Sequence, residues 1–307
     1  MKISIIGYKN HAIRLRKILK KIGYDDILNF NHHVNTDKDI KDVDVFFISS
    51  PSDTHMGWIE KLSIYNKYIF CEKPPVTNLE DLDKIKNYRD KLYFNFNYRF
   101  SYLVKVIEEY NITKELGVPI HINCFSTHGI AFKDNFKKDW RFKSENIFSS
   151  ITANLGIHYI DLISYLFGPI KNLDIKNLSI VSSGLADTSK ITIDLNHCLC
   201  DIVLSYAAPF TNKISILYDN GIIELSNGII SVFKPRNTFD KNGLFIPPEK
   251  KIIKKFKGSR SYYDNALYES IKYFIESAKN NIRMSEKYYN QSIESNKILL
   301  DFIMDKN

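Results

Sequence analysis

Near the middle of the chain, a histidine and two polar neighbours have the spacing of residues that could move a proton. Asn154, His158 and Asp161 stand at positions i, i+4 and i+7, so in a helix they would share one face. Imidazole suits the interconversion of an alcohol and a carbonyl because its unperturbed pKa lies near neutrality. Such a face could line a cleft with His158 as acid and base. A histidine satisfied within a core is the alternative.

A lysine in the first third of the chain could supply a positive charge. Residues 68–71 predict a strand, and Glu72-Lys73-Pro74 follows directly. Open α/β sheets bind ligands at the carboxyl ends of their parallel strands. Lys73 would therefore lie where a ligand binds, and its ammonium group would favour an alkoxide-like transition state. An ordinary surface lysine after a strand is the alternative.

The first predicted strand ends in a turn that could bind the phosphates of a dinucleotide. Its sequence is Gly7-Tyr8-Lys9-Asn10-His11-Ala12, where dinucleotide-binding folds have Gly-x-Gly-x-x-Gly/Ala before the first helix. The first and last positions fit, but Lys9 replaces the glycine that lets the backbone approach a pyrophosphate. Either Lys9 blocks that approach, or it swings out and adds a cation at the positive end of the helix dipole. A plain structural turn would explain this motif equally well.

The second predicted strand lacks the carboxylate that NAD-binding folds place on the adenosine ribose. The sequence there is Asn29-Phe30-Asn31-His32-His33. Asn31 could bond a ribose hydroxyl, and either histidine could lie near a 2′-phosphate. The choice between NAD and NADP is therefore left open.

The elements that must position these residues fall into two groups. Before about residue 100, short apolar runs alternate with helical patterns, which predicts βαβ units and a doubly wound parallel sheet. The predicted strands are 2–7, 26–30, 43–49, 68–71 and 92–95, with helices at 12–22, 55–65 and 79–88.

Beyond residue 100, consecutive strand-like runs predict an open, mainly antiparallel sheet. Asn220-Gly221 and Asn227-Gly228 indicate hairpins, since Asn-Gly supplies the positive φ of tight β-turns. Residues 236–257 resemble an irregular loop. The predicted strands are 120–127, 175–181, 190–195, 201–206, 214–218, 221–225 and 229–233, with helices at about 150–167, 262–279 and 286–304.

The composition of the chain limits the classes of protein to which it can belong. The 307 residues are 44% hydrophobic, enough for two domain cores, and no apolar stretch approaches the roughly 20 residues that cross a bilayer. We expect no export signal at the start of the chain, and the four cysteines include no CxxC pair. The net charge of +8 is compatible with anionic ligands, but no nucleic-acid module accompanies it. We expect a cytoplasmic protein that binds neither membranes nor nucleic acids.

Four motifs in order resemble the Gfo/Idh/MocA oxidoreductases. In that family a strand ends in a Ser/Thr-Pro turn, a later strand carries Glu-Lys-Pro, an Asn-x-Arg-Phe-like segment crosses into the second domain, and a helix carries Asp/Asn-x-Gly-x-His-x-x-Asp. The matches here are residues 44–55, Cys71-Glu72-Lys73-Pro74, Asn97-Tyr98-Arg99-Phe100 and residues 154–161. The resemblance covers essentially the whole chain and implies a nicotinamide-dependent oxidoreductase acting on a sugar or sugar derivative.

This resemblance implies a Rossmann domain over residues 1–98 and an α+β domain for substrate binding and oligomerisation over residues 99–307. The closing helices would be able to pack back on the first domain. Catalytic roles are implied for Lys73, His158 and Asn154. Contacts with NAD or NADP are implied for Gly7, Tyr8, Lys9, Asn10, His11, Asn31, Ser50, Pro51, His55, Glu72 and Lys73. Contacts with the substrate are implied for Asn97, Arg99, Trp140, Arg141 and Asp161.

Departures from the family pattern bear on the substrate. Asn154 stands where many members have an aspartate that orients the imidazole, although a subset of nucleotide-sugar dehydrogenases carries asparagine. Ser149-Ser150 replaces a Gly-Gly pair that often precedes the helix. Trp140-Arg141 matches a pair common in sugar-acting members. The arginine could contact a carboxylate or phosphate, and the tryptophan could stack on a sugar or pack in the core.

The preferred function is hydride transfer between the nicotinamide and a ring carbon of a sugar or nucleotide sugar. One alternative is a family member that has lost catalysis and binds a sugar or a protein, which Lys9 and the missing carboxylate favour. Another is a dehydratase or epimerase that recycles a bound nucleotide. Family members usually associate through the open sheet, so we expect a homodimer or homotetramer.

Overall fold

The structure is a computed structural model that describes residues 1–30, 37–134, 136, 148, 150–181, 186–234 and 236–304. The chain divides into two compact units. Unit 1 consists of Met1–Asn97 together with Leu267–Asn307, and unit 2 consists of Tyr98–Ala266.

Unit 1 contains a five-stranded sheet in which every neighbouring pair is parallel. The strand order is β2-β1-β3-β4-β5. Every residue of β1 and β3 is buried, which explains why these strands are apolar except for Ser4, because central parallel strands are covered on both faces. The predicted doubly wound sheet is thus confirmed. Its strands are β1 (Ile3–Ile6), β2 (Ile27–Phe30), β3 (Val45–Ile48), β4 (Tyr68–Cys71) and β5 (Leu92–Phe94).

Helices from both ends of the sequence belong to unit 1. The first of them buries Ala12, Leu15 and Leu19 along one stripe and ends at Gly23 in the left-handed conformation. Phe274, late in the chain, packs on the sheet with ring centroids 5.5 Å from Phe47 and 5.4 Å from Phe70. The helices are α1 (Asn10–Ile22), α2 (Asp37–Lys41), α3 (His55–Ile64), α4 (Leu79–Lys84), the part of α7 (Gly258–Lys279) from Leu267 onward, and α8 (Glu286–Met304).

Unit 2 contains an eight-stranded sheet of order β13-β12-β11-β10-β6-β9-β8-β7. Its neighbours pair antiparallel except for the parallel pair of β6 and β9, so the predicted open, mainly antiparallel sheet is confirmed. The strands are β6 (Pro119–Thr127), β7 (Ile170–Leu178), β8 (Thr188–Leu195), β9 (Cys198–Ser205), β10 (Thr211–Tyr218), β11 (Gly221–Ser226), β12 (Ile229–Lys234) and β13 (Glu249–Lys255).

The two predicted hairpins use their glycines differently. Asn227 and Gly228 have φ of 46° and 89°, as an Asn-Gly turn requires. In the other hairpin Tyr218 pairs with Gly221, so the turn lies at Asp219-Asn220, and the expected positive φ at Asn220-Gly221 was wrong. Gly221 is needed for space instead, because a Cβ there would lie 2.6 Å from the Phe233 carbonyl oxygen.

The remaining helices of unit 2 include the one that carries His158. α5 spans Tyr102–Thr113, and α6 spans Ile157–Phe167 after a π-helical turn at Thr152–Gly156. The helix predicted at about 150–167 is therefore confirmed, with Asn154 in its π-helical turn. No helix in the part of the chain that the structure describes is long and apolar enough to cross a membrane. Cys71, Cys124, Cys198 and Cys200 are free and buried.

Two local predictions were wrong. Residues 236–257 are not wholly irregular, since Glu249–Lys255 forms the edge strand β13. Six of its seven residues are exposed, so it lacks the alternation of apolar and polar residues that marks a half-buried strand. The helix predicted at 79–88 ends at Lys84 and continues as 3₁₀ turns, because Tyr88 has the non-helical angles φ −115° and ψ 20°.

Candidate functional site

The turn between β1 and α1 requires glycine at position 7 for two reasons. Gly7 has φ of 123°, a conformation that other residues rarely adopt. A Cβ at this position would also lie 2.7 Å from Ser49 Oγ and 2.8 Å from the Ser49 carbonyl oxygen. The turn therefore lies directly against the end of β3.

The start of α1 has the features of an anion site. Lys9 precedes the helix in an extended conformation, and its side chain cannot cap the first N–H groups. Tyr8, Lys9 and Asn10 are exposed, with Tyr8 at 74%. The exposure of Lys9 supports the interpretation that it adds a cation at the helix start.

A chain of hydrogen bonds links this turn to the Glu-Lys-Pro segment. His11 Nε2 donates to Glu72 Oε1 at 2.6 Å, and Asn95 Nδ2 donates to the same oxygen at 2.7 Å. Ser270 Oγ in turn donates to Asn95 Oδ1 at 2.9 Å and lies 2.7 Å from Tyr93 Oη. Glu72 is consequently fixed from two sides, directly before Lys73.

Opposing effects set the pKa of Glu72. Burial alone would raise it, but the charge of His11, the hydrogen bonds from His11 and Asn95, and the charge of Lys73 outweigh burial. The pKa consequently lies below its ordinary value of 4.5. Glu72 is an ionised partner for His11 near neutral pH.

Replacing Glu72 should change how stability responds to acid. Because its pKa is lower in the folded than in the unfolded chain, its ionised form stabilises the fold above about pH 4.5, and this contribution is lost as the pH falls through the depressed value. We expect Glu72→Gln to show a flatter decline in urea midpoint from about pH 6 to about pH 3 than the wild type. Glu80→Gln is the control, since the Glu80–Lys84 pair is exposed and worth little. If the urea midpoint declines equally steeply with falling pH in Glu72→Gln and in the wild type, ionised Glu72 does not stabilise the fold in this way.

His55 joins the Ser50-Pro51 turn to the segment after Lys73. Its ring is 1% exposed, with Nδ1 2.9 Å from the Pro74 carbonyl oxygen and Nε2 3.1 Å from that of Ser50. Burial lowers its pKa despite these contacts, which favours the neutral ring. His55 thus holds the two segments together, and its contact with a cofactor stays a prediction. Lys73 itself is partly exposed.

In unit 2, His158 is partly exposed and stacks on a tyrosine. Its ring centroid lies 4.5 Å from that of Tyr98, with 13° between the ring planes. Tyr98 also stacks on Tyr263, at 4.9 Å and 30°. The imidazole therefore belongs to an array of three aromatic rings.

Asn154 is hydrogen bonded to a second group of aromatic side chains. Its Nδ2 donates to Tyr206 Oη at 2.8 Å, and the Tyr206 ring stacks on His128 with centroids 4.8 Å apart. Asn154 and His158 are both partly exposed, as a face that lines a cleft requires, whereas Asp161, predicted on the same face, is buried. Hydroxyl, amide and imidazole groups thus gather around this end of α6, a donor and acceptor set suited to a polyhydroxy ligand.

Arg99 and Asp161 do not have the exposure of substrate contacts. Arg99 Nε donates to Asp161 Oδ2 at 2.8 Å, Arg99 Nη2 donates to Asp161 Oδ1, and the side chains are 1% and 0% exposed. Each side chain is thus held in a buried ion pair, and its contact with the substrate stays a prediction. Asn97 is also buried, at 7%. Asn31, Trp140 and Arg141 lie outside the described residues.

The aromatic groups around His158 were missed in the sequence. Tyr98 lies inside the Asn97-Tyr98-Arg99-Phe100 motif, where its position between two polar residues was the one available signal. Tyr206, Tyr263 and His128 are distant in sequence and have no spacing that links them to α6.

Two family models match the chain along most of its length. The model described as an oxidoreductase family with an NAD-binding Rossmann fold matches residues 7–93, and the one described as the GFO/IDH/MocA C-terminal domain matches residues 107–224. The chain belongs to the Gfo/Idh/MocA oxidoreductase family. The resemblance inferred from the four motifs is confirmed, and the family's NAD-binding domain agrees with a nicotinamide cofactor. The choice between NAD and NADP stays open.

Curated relatives of this Gfo/Idh/MocA member include enzymes that act on polyhydroxy rings. Glucose-6-phosphate 3-dehydrogenase of Bacillus subtilis is 28% identical over 138 residues, which cover 43% of this chain and 39% of that protein. Myo-inositol 2-dehydrogenase of Thermotoga maritima is 28% identical over 159 residues, 50% of this chain and 44% of that protein. The chain thus matches less than half the length of either relative.

A solved structure shows the same fold over nearly the full chain. UDP-N-acetylglucosamine 3-dehydrogenase from Acidithiobacillus ferrooxidans superposes with a TM-score of 0.76 at 14% identity, covering 98% of this chain and 96% of that one. This agreement bears on the architecture alone.

Proposed function

We propose that this Gfo/Idh/MocA member is a dehydrogenase that uses NAD or NADP and acts on a secondary hydroxyl of a sugar or nucleotide sugar. The observation that carries the proposal is His158, a partly exposed imidazole held in an aromatic stack beside the polar groups of Asn154 and Tyr206. The dehydrogenases among its relatives support a polyhydroxy ring as substrate.

In this proposal unit 1 binds the dinucleotide. Gly7 allows the tight turn after β1, and the uncapped start of α1 with exposed Lys9 fits a pyrophosphate. The bound nicotinamide would exchange a hydride with the sugar carbon, while the protein supplies orientation and electrostatics.

Unit 2 binds the sugar and supplies the acid and base. His158 Nδ1 is buried, which leaves Nε2 as the atom that takes a hydroxyl proton during oxidation and returns it during reduction. Lys73, positioned by Glu72 on one side and by the His55–Pro74 bond on the other, provides the positive charge that favours an alkoxide-like oxygen.

The open face of the unit 2 sheet supports self-association. Phe125, Leu199 and Leu217 lie on this face, exposed by 37%, 54% and 41%. Apolar side chains gathered on an accessible sheet face favour burial against another surface. A homodimer or homotetramer remains the proposal for this chain.

A second candidate is a family member that binds a sugar or a protein without catalysis. Lys9 favours it, since this lysine occupies the position where a glycine would let the backbone approach the pyrophosphate. Nucleotide binding separates this candidate from the dehydrogenase.

The test is a calorimetric titration of nucleotide-free protein with NAD⁺, NADH, NADP⁺ and NADPH. We expect saturable binding of one oxidised and reduced pair. Lys9→Gly should weaken it about 2- to 5-fold if Lys9 acts as a cation, and strengthen it if Lys9 obstructs. Gly57→Ala is the control, because a Cβ there meets open space.

Absence of binding to all four nucleotides at millimolar concentration would overturn the dehydrogenase and favour the binding protein. Sugar turnover without net change in nicotinamide absorbance would instead identify a dehydratase or epimerase that recycles its nucleotide.

A further inference from the structure

The geometry points to Tyr98 as a positioning residue for His158, one whose ring face orients the imidazole and favours its protonated form. This inference rests on the proposed function, in which His158 is the acid and base. Position 154, four residues before His158, carries an amide that cannot neutralise an imidazolium. An aromatic face supplies part of that stabilisation here.

The contact between the two rings is a face-to-face stack. The centroids lie 4.5 Å apart and the planes meet at 13°. A cation within about 6 Å of an aromatic centroid, over the face of the ring, is attracted by the negative charge of that face. Protonated His158 therefore gains more from Tyr98 than neutral His158 does, and the stack also limits rotation of the imidazole.

Tyr98 is itself held by two further rings. Tyr263 stacks on it with centroids 4.9 Å apart and 30° between the planes. Tyr159 meets the Tyr98 ring edge-on, with centroids 5.5 Å apart and 88° between the planes. Tyr98 is only 9% exposed, so the surface offered to His158 is fixed.

Hydrogen bonds hold Tyr159 and Tyr263 in place around Tyr98. Asn212 Nδ2 donates to Tyr263 Oη and, at 3.2 Å, to Tyr159 Oη. The two phenol oxygens lie 3.2 Å apart. Burial raises the pKa of Tyr159 to about 12 and that of Tyr263 well above its ordinary value.

The stack is therefore uncharged near neutral pH, and its effect on His158 comes from the ring face. Among the described residues, the titratable and charged groups on the elements around it include the phenols Tyr98, Tyr159, Tyr206, Tyr262 and Tyr263, the imidazole of His128, the internally neutralised Arg99–Asp161 pair, and Arg260 and Asp264, which pair with each other on α7.

The first test follows the proton on His158 by NMR without nucleotide or sugar. The chain has eight histidines, and the imidazole resonance that disappears in His158→Ala identifies this one. We expect its titration midpoint to fall by about 0.4 to 1.5 pH units in Tyr98→Leu and to change little in Tyr98→Phe. Tyr289→Leu, a buried tyrosine in unit 1, controls for general loss of packing and should leave the midpoint unchanged.

A second series keeps the shape of the ring, in case Tyr98→Leu does not fold. Phenylalanine analogues with increasing numbers of ring fluorines at position 98 weaken the negative face with little change in volume. We expect the midpoint of His158 to fall stepwise along the series. A midpoint that stays at the wild-type value throughout overturns the inference.

Turnover supplies the readout that depends on the proposed function. We expect Tyr98→Leu to lower kcat for sugar oxidation roughly 2- to 30-fold and to move the acidic limb of its pH profile in the same direction as the NMR midpoint. If no sugar is turned over but the NMR titration midpoint of His158 changes in the Tyr98 variants, the proposed function fails, while the effect of Tyr98 on His158 stands. If sugar is turned over but neither the pH profile of kcat nor the NMR midpoint of His158 changes in the Tyr98 variants, the dehydrogenase stands, and the inferred effect of Tyr98 on His158 fails.

Discussion

His158→Ala should lower kcat by about 10²- to 10⁴-fold while the protein remains folded. The magnitude is that expected for loss of a positioned acid and base, and His158 is partly exposed, so its removal leaves no large hole in the core. Steady-state kinetics with the nucleotide identified by titration, and with a sugar that the wild type turns over, would measure the change. Circular dichroism and the thermal midpoint would show that the fold is retained.

The matched control is His197→Ala. His197 is exposed in the turn between β8 and β9, and its loss should leave kcat within about twofold of the wild type. Near-normal turnover in His158→Ala would remove His158 from the mechanism. Loss of nucleotide binding along with turnover would also argue against a role confined to proton transfer.

Asp161→Leu should cost about 3–5 kcal/mol of unfolding free energy, the largest stability change that we expect. Removing the carboxylate leaves the Arg99 guanidinium buried without its counter-charge. The double variant Arg99→Leu/Asp161→Leu should recover most of the loss, because two apolar side chains of similar size often replace a buried ion pair at little cost. Urea unfolding of both variants gives the comparison.

An exposed pair provides the reference for this prediction. Removal of the exposed Lys84–Glu80 pair should leave the unfolding free energy nearly unchanged. If Asp161→Leu costs no more than the loss of this exposed pair, Arg99 is not left as an uncompensated buried charge. If the double variant folds but its KM for the sugar rises more than tenfold, the result would support the predicted contact of Arg99 and Asp161 with the substrate.

Regular elements were predictable where burial imposes a pattern on the sequence. β1 and β3 are covered on both faces, so their largely apolar sequences predicted them, and their boundaries were placed within two residues. β13 was missed because exposure removes that pattern, leaving a lysine-rich segment that resembles a loop. α2 and α5 were also not predicted, and for α2 the physical reason is its length of one turn and a half.

The candidate site was predictable where chemistry and spacing coincide within one element. Asn154 and His158 share a helix face, and Lys73 follows a parallel strand, so local sequence was enough for both. The burial of Arg99 with Asp161 depends on two segments meeting in three dimensions, and charged residues are otherwise mostly exposed. The Tyr98–Tyr263 stack was hidden for the same reason.

The packing of Phe274 on Phe47 and Phe70 has a consequence for how the protein is made on the ribosome. Residues 1–97 are synthesised long before the helix that completes their hydrophobic core, since all of unit 2 is translated in between. At synthesis rates of about 5–20 residues per second, this leaves an interval of roughly 10–30 seconds. During that interval the nascent parallel sheet has apolar surface in need of cover, which makes it a target for chaperones.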